Sequence, residues 1–177
     1  VTILETPRLT LRRLTPDDAP FMLALLNDED FLRNVGDRGA RTIDDTRAYI
    51  VNGPMAMYDI YGHGLYLVVE RNSGEAIGIC GLLKRDSLED VDIGFAFLPE
   101  ARGQGYAVES AAAVMAYGRD VLGLARVVAI VRPDNAASIR VLEKIGMRPE
   151  RRVQLSHTDH ELMLFSSLGP TCGPSDS

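Results

Sequence analysis

Tryptophan is missing from this 177-residue sequence, and cysteine occurs only twice. Two cysteines cannot build a disulfide framework. Cys80 lies in an apolar run and Cys172 near the end, so both read as ordinary thiols of a reducing compartment. Long apolar runs are also missing: nothing approaches the roughly 20 residues that a membrane-spanning helix needs. The opening of the chain carries Glu5, Arg8, Arg12, Arg13, Asp17 and Asp18, which leaves no apolar centre for a secretory signal. The expected location is cytoplasmic. No Lys/Arg-rich run is present either. With 25 acidic against 19 basic residues the formal charge is −6, which disfavours nucleic acid and leaves neutral or cationic partners. His157-Thr-Asp-His160-Glu161 gathers possible metal donors, but no further ligand cluster accompanies it, so it reads as a polar hairpin tip.

What the chain does contain fits one globular domain over residues 1–165: 46% of its residues are hydrophobic and 25% charged, ordinary values for such a fold. Residues 166–177 are rich in Gly, Pro, Ser and Thr without apolar period, and disorder is expected there. Residues 2–14 alternate as a strand, and Thr15-Pro16-Asp17-Asp18 opens a helix that ends in the acidic patch Asn27-Asp28-Glu29-Asp30. Thr42 starts a second helix, which Pro54 should interrupt or kink. Residues 65–69 and 75–83 read as a hairpin, and 91–98 as a third strand in which Gly94 marks a bulge or a close approach. A helix over 108–122, a buried strand over 125–131, a helix from Asn135 to its stop at Gly146, and a closing strand pair complete the chain. The order β-α-α-β-β-β-α-β-α-β-β argues for a mixed α/β (α+β type) sheet flanked by helices.

The chain is organised around Pro99-Glu-Ala-Arg102-Gly103-Gln104-Gly105-Tyr106-Ala107, set between a strand and a helix. Without side chains at Gly103 and Gly105, backbone N–H groups can approach a bulky anion closely. The following helix adds its free N-terminal N–H groups and the positive end of its dipole. Such a turn suits a pyrophosphate, with Arg102 contributing charge. The dinucleotide fingerprint fails, because Val108 stands where its third small residue should be. The Gly-Lys-Ser/Thr phosphate loop and a Ser-His-Asp nucleophile motif are both absent.

The remaining pattern, Arg102-x-x-Gly105-x-Ala107, resembles the acetyl-CoA motif Gln/Arg-x-x-Gly-x-Gly/Ala of the GNAT acyltransferase superfamily. Asn135-Ala-Ala-Ser138-Ile-Arg-Val-Leu142-Glu143-Lys144-Ile-Gly146-Met147 resembles that family's second cofactor-contacting segment, with Met147 in place of the usual aromatic residue. The opening Leu4-Glu-Thr-Pro-Arg8-Leu-Thr-Leu-Arg-Arg13 resembles the RimJ/RimL branch, which acetylates protein N-termini. The resemblance covers residues 2–165. It implies that Arg102, Gly103, Gln104, Gly105, Tyr106 and Ala107 take the pyrophosphate of acetyl-CoA. It further implies that Ala96, Phe97 and Leu98 pair with the pantetheine arm through free backbone groups, and that Asn135 bonds the arm. Asn135 is equally suited to cap a helix.

Acetyl transfer to an amine needs a deprotonated amine, a polarised thioester carbonyl and a proton for the leaving thiolate. Many relatives donate that proton from a tyrosine, but the matching position here is Leu142. The branch resemblance assigns the role to Ser138, near a helix start whose dipole favours a thiolate; the alternative is a serine bonding only backbone. Asp92 stands where many relatives carry a glutamate and is the candidate base, against the plainer reading of an exposed strand-end carboxylate. Glu89 is a second candidate. Strand alternation puts Asp92, Gly94 and Ala96 on one face. Asp28, Glu29, Asp30, Asp37, Asp44 and Asp45 either attract a cationic acceptor or form a solvated face. The implied reaction is direct acetylation of a peptide N-terminal amine. A small-molecule amine acetyltransferase and a non-catalytic acyl-CoA-binding module are the alternatives, and a homodimer is compatible with all three.

Overall fold

The computed structural model describes residues 2–155 and 161–167. The expectations placed on His157, His160, Cys172 and the tail from residue 168 lie outside them. Strands β1 (Thr2–Glu5), β2 (Leu9–Arg13), β3 (Leu65–Glu70), β4 (Ala76–Leu83), β5 (Asp92–Phe97), β6 (Val128–Val131), β7 (Arg148–Val153) and β8 (Leu162–Ser166) form one sheet. Its spatial order is β1-β2-β3-β4-β5-β6-β8-β7. Neighbours are antiparallel except β5 and β6, which run parallel and share a single registered pair, Asp92 with Val128. The helices are α1 (Ala19–Leu26), α2 (Glu29–Asn34), α3 (Ile43–Ile50), α4 (Ala56–Tyr61), α5 (Tyr106–Asp120) and α6 (Ala136–Lys144).

Both faces of the sheet are covered, which is why its central strands read as nearly continuous apolar runs. Tyr66 and Val68 of β3 join Cys80, Ile93, Phe97, Ala111, Val114 and Leu142 in a core shared with α5 and α6. The alternate residues Leu65 and Leu67 join Met22, Leu25, Leu26 and Ile50 under α1 and α3. A third cluster of Leu88, Val128, Val153, Leu155, Leu162 and Leu164 covers the β6–β8 end.

Several expectations need correction. The first strand is a hairpin of β1 and β2, turned at Thr6 to Arg8. The acidic patch does not end a helix; Asp28 caps a new one, accepting from the Phe31 amide at 3.2 Å, because the buried Phe31 anchors α2. Pro54, by contrast, interrupts its α-helix as expected: α3 ends at Ile50 and α4 starts at Ala56. A π-turn over Val51–Met55 absorbs the missing N–H, and the chain continues into α4. Gly94 is no bulge: β4 and β5 keep continuous register through Gly81 and Gly94, and the close neighbour is the Leu83 side chain. Ser166 is not tail but the buried end of β8, and the Ser167 amide donates to Val127 at 2.9 Å. Among the described residues no helix is long and apolar enough to cross a membrane.

Candidate active site

Where β5 and β6 separate beyond Asp92, a cleft of about 470 Å³ opens. Phe95, Ala96 and Phe97 line it from β5, residues 101–103 and 105–108 from the turn into α5, and Asn135, Ala137, Ser138 and Val141 from α6. Helix α2 lies over it, contributing Asp30, Phe31, Arg33 and Asn34. The Leu98 amide donates to Ile77 at 3.1 Å and its carbonyl accepts from Ala101 at 3.0 Å. In an antiparallel pair every second residue turns its backbone groups to the same neighbour. Ala96 therefore faces β4 as Leu98 does, while Phe95 and Phe97 face the cleft, consistent with the Val91 carbonyl accepting from Val128 at 2.9 Å. The cleft-facing backbone expected at Ala96 and Leu98 belongs instead to Phe95 and Phe97, of which the Phe97 carbonyl already accepts from Arg102. Alternation alone would have shown that three consecutive residues cannot all serve.

The turn before α5 places Gly103 at φ 75° and Gly105 at φ 83°, left-handed conformations that a side chain disfavours. Gly105 occupies the N-cap position without a side-chain cap, and no described residue accepts from the amides of residues 103–108. A run of unpaired amides at the start of a fifteen-residue helix fits a bound pyrophosphate. Gln104 turns its side chain back to the Glu100 carbonyl at 2.9 Å and does not line the cleft, and the Tyr106 hydroxyl bonds Glu70. Arg102 donates to the Phe97 carbonyl at 3.1 Å and pairs with Asp28 at 2.7 Å and Asp30 at 2.5 Å. Its charge is shared with the α2 carboxylates.

On the opposite wall, Asn135 caps α6 by accepting from the Ser138 amide at 3.2 Å through Oδ1, which leaves its Nδ2 toward the cleft without a described protein partner. The Ser138 amide donates to Asn135, and the Ser138 hydroxyl makes no hydrogen bond to a described residue. Leu142 is buried in the core and donates nothing.

Asp92 is not an exposed strand-end carboxylate: it is 1% exposed, at the vertex where β5 and β6 part. Both its oxygens lie 3.1 Å from Arg85 Nε. Burial pushes the Asp92 carboxyl above the ordinary aspartate value despite the Arg85 charge. Arg85, which the sequence did not single out, lies on the loop after β4, and no motif marks it. Of the other acidic candidates, Asp37 pairs with Arg41 at 2.5 Å and Asp44 with Arg47 at 3.4 Å, Asp45 closes the capping box of α3, and Glu29 and Glu89 form no ion pair among the described residues. Among the described residues, no group of three or more His, Cys, Asp or Glu can hold a metal ion.

Parallel strands that part beside an uncapped helix start leave an open cleft with backbone donors along one wall. The acetyltransferase (GNAT) domain model matches residues 8–148, and the chain belongs to this family. The sequence is 32% identical over 149 residues to an uncharacterised N-acetyltransferase of Bacillus subtilis, YoaA, with 84% of each chain covered. An acetyltransferase from Agrobacterium tumefaciens superposes with a TM-score of 0.79 at 28% identity, over 94% of this chain and 93% of that one. RimL, a ribosomal L7/L12 α-N-protein acetyltransferase solved with coenzyme A, superposes with a TM-score of 0.77 at 19% identity, over 96% and 98%. The protein is an acetyl-CoA-dependent N-acetyltransferase.

Proposed function

We propose that the acceptor is the free amino group at a peptide or protein N-terminus, acetylated by direct transfer. The observation that carries this reading is the internal pairing of the acidic residues around α2 and α3. Asp28, Asp30, Asp37 and Asp44 each pair with an arginine, so among the described residues most of this acidic charge is already neutralised and little is left to draw in a polycationic small molecule. A peptide N-terminus, with a single amine and a backbone to grip, makes no such demand. The fold likeness to RimL agrees with this acceptor class.

In the proposed reaction Asp92, buried beside the cleft rather than lining it, takes a proton from the incoming ammonium through water, and its raised pKa brings it closer to a useful base. The amine attacks the thioester carbonyl, the new C–N bond forms and the C–S bond breaks. Ser138 gives its hydroxyl proton to the departing sulfur and regains one from the attacking nitrogen, which sheds its second proton as the amide forms; the α6 start beside it favours the developing thiolate. Residues 103–107 hold the pyrophosphate, and the backbone of Phe95 and Phe97 pairs with the pantetheine arm.

The test is free-thiol release from acetyl-CoA against N-terminal peptides, polyamines and aminoglycosides. Turnover on peptides with a free N-terminus, and its loss when that N-terminus is blocked, is the expected result. Turnover confined to small amines would overturn the acceptor assignment and leave the transferase chemistry standing.

A further inference from the structure

We propose that Arg8 is a positioning residue for the cofactor's pyrophosphate, acting through the carbonyl of Gln104. This rests on the assignment of residues 103–107 to that pyrophosphate. Arg8 lies in the β1–β2 turn, far from α5 in sequence, yet its Nη1 donates to the Gln104 carbonyl at 2.9 Å. Across a trans peptide, the N–H of the next residue points opposite to the carbonyl. Holding the Gln104 carbonyl toward Arg8 therefore aims the Gly105 N–H away from it, and Gly105 lines the cleft. A charged donor on the carbonyl also polarises the peptide and strengthens that N–H as a donor to an anion.

Arg8 is held in place from several sides. Its Nε pairs with Glu109 at 2.7 Å, its backbone amide donates to the same carboxylate at 3.0 Å, and its guanidinium lies 4.4 Å from the Tyr106 ring centroid. Thr6 Oγ1 donates to Glu109 at 2.5 Å, while Arg71 grips the turn from the far side through the Thr6 carbonyl at 2.8 Å. A Cβ on Gly105 would come within 3.3 Å of Arg8 Nη2, so glycine there admits the arginine as well as the left-handed backbone. Burial alone would raise the Glu109 carboxyl, but hydrogen bonds from Thr6 and Arg8 outweigh it and hold it below the ordinary glutamate value. Glu109 thus stays ionised one turn into α5. Arg8 offsets a negative charge that would otherwise repel the phosphates. The Thr6-Pro7-Arg8 opening thereby gains a role in a site about a hundred residues away.

The experiment is calorimetric titration of wild type, Arg8→Ala, Arg8→Lys and Glu109→Gln with coenzyme A and with 3′-dephospho-coenzyme A. Arg8→Ala is expected to weaken both ligands equally, by about tenfold. Arg8→Lys keeps a cation but cannot reach Glu109 and Gln104 together, so it also weakens both, by about threefold to fivefold. Glu109→Gln leaves the Gln104 contact possible and binds both at least as well as wild type. Loss of affinity for coenzyme A alone would mean a direct contact to the 3′-phosphate and overturn the proposal. Glu109→Gln weakening both ligands as much as Arg8→Ala would reduce Arg8 to a structural partner of Glu109. Wild type that binds neither ligand would overturn the pyrophosphate turn itself, and the role of Arg8 with it.

Discussion

Helices α5 and α6 both begin at the cleft, and they begin differently. At α6, Asn135 occupies the cap position and accepts from the Ser138 amide. At α5, Gly105 stands in that position with no side chain, and the amides behind it are left unpaired. A capped start turns its amides inward for stability, whereas an uncapped one keeps them for a ligand. On the proposed reading this difference divides the labour: α5 would hold the anionic end of the cofactor, and α6 would present a hydroxyl to its sulfur. Asp92 lies at the vertex where β5 and β6 part, outside the residues that line the cleft.

The largest effect should come at that vertex. Asp92→Asn is expected to lower kcat about 1,000-fold, in the range of a lost general base. Because the Asp92 pKa is raised in the folded protein, wild-type activity should fall as pH drops through that raised value, and the variant should lack this acid limb. The stability consequence has the opposite sign. A raised folded pKa means that the neutral form is preferred in the fold, a contribution complete below the unfolded value and lost as pH rises through the folded one. Asp92→Asn should therefore leave the Tm unchanged or higher at neutral pH. A coordinate loss of Tm and activity would recast the Arg85–Asp92 pair as structural.

Ser138→Ala is next, with kcat down about 100-fold and the KM for acetyl-CoA unchanged. Unchanged turnover would remove the proton donor from α6 and leave that helix a purely binding element. Gly105→Ala should show the converse pattern. A left-handed φ of 83° with a side chain costs about 1–2 kcal/mol, so the KM for acetyl-CoA should rise about tenfold with little change in kcat. If both variants changed the same parameter, the division between α5 and α6 would fail.

Asn135 tests the comparison more finely, because on the proposed reading it combines a helix cap with a cofactor contact. Asn135→Ala should cost about 1 kcal/mol, or roughly 2–4 °C in Tm. Asn135→Asp keeps a capping oxygen and removes the Nδ2 donor. An unchanged Tm with a higher KM for acetyl-CoA would separate the cap from a cofactor contact; an unchanged KM would leave the cap alone.

The fold was legible because both faces of the sheet are buried and each helix carries its own punctuation. Thr42 with Asp45, and Asn135 with Gly146, mark starts and stops by local chemistry alone. The uncapped start of α5 was readable too, since Gly103 and Gly105 are the residues that such a turn requires. What the sequence hid is long-range or alternating. The backbone direction at Phe95 and Phe97 depends on which neighbour β5 pairs with. Arg8 meets Gln104, and Arg102 meets Asp28, only because the sheet and α2 bring distant segments together. Asp28 was read as closing a helix when it opens one, since a single capping residue looks alike at the two boundaries.

The smallest expected effect concerns that same α2 contact. Arg102 divides its guanidinium between Asp28 and Asp30, and all three lie at least partly in solvent, where such pairs contribute about 0–1 kcal/mol. Replacing both carboxylates by asparagine keeps the α2 cap, because asparagine caps as well as aspartate. The Tm should then shift by no more than about 2–4 °C. Arg102 would be released from a pair of carboxylates at the mouth of the phosphate turn, and the KM for acetyl-CoA should fall about threefold. Added salt should narrow the gap between wild type and variant, since screening weakens both the pair and the phosphate contact. A rise in KM would give the pair the opposite meaning: its value would lie in holding α2 over the cleft, and the binding end of the site would then depend on α2 as much as on α5.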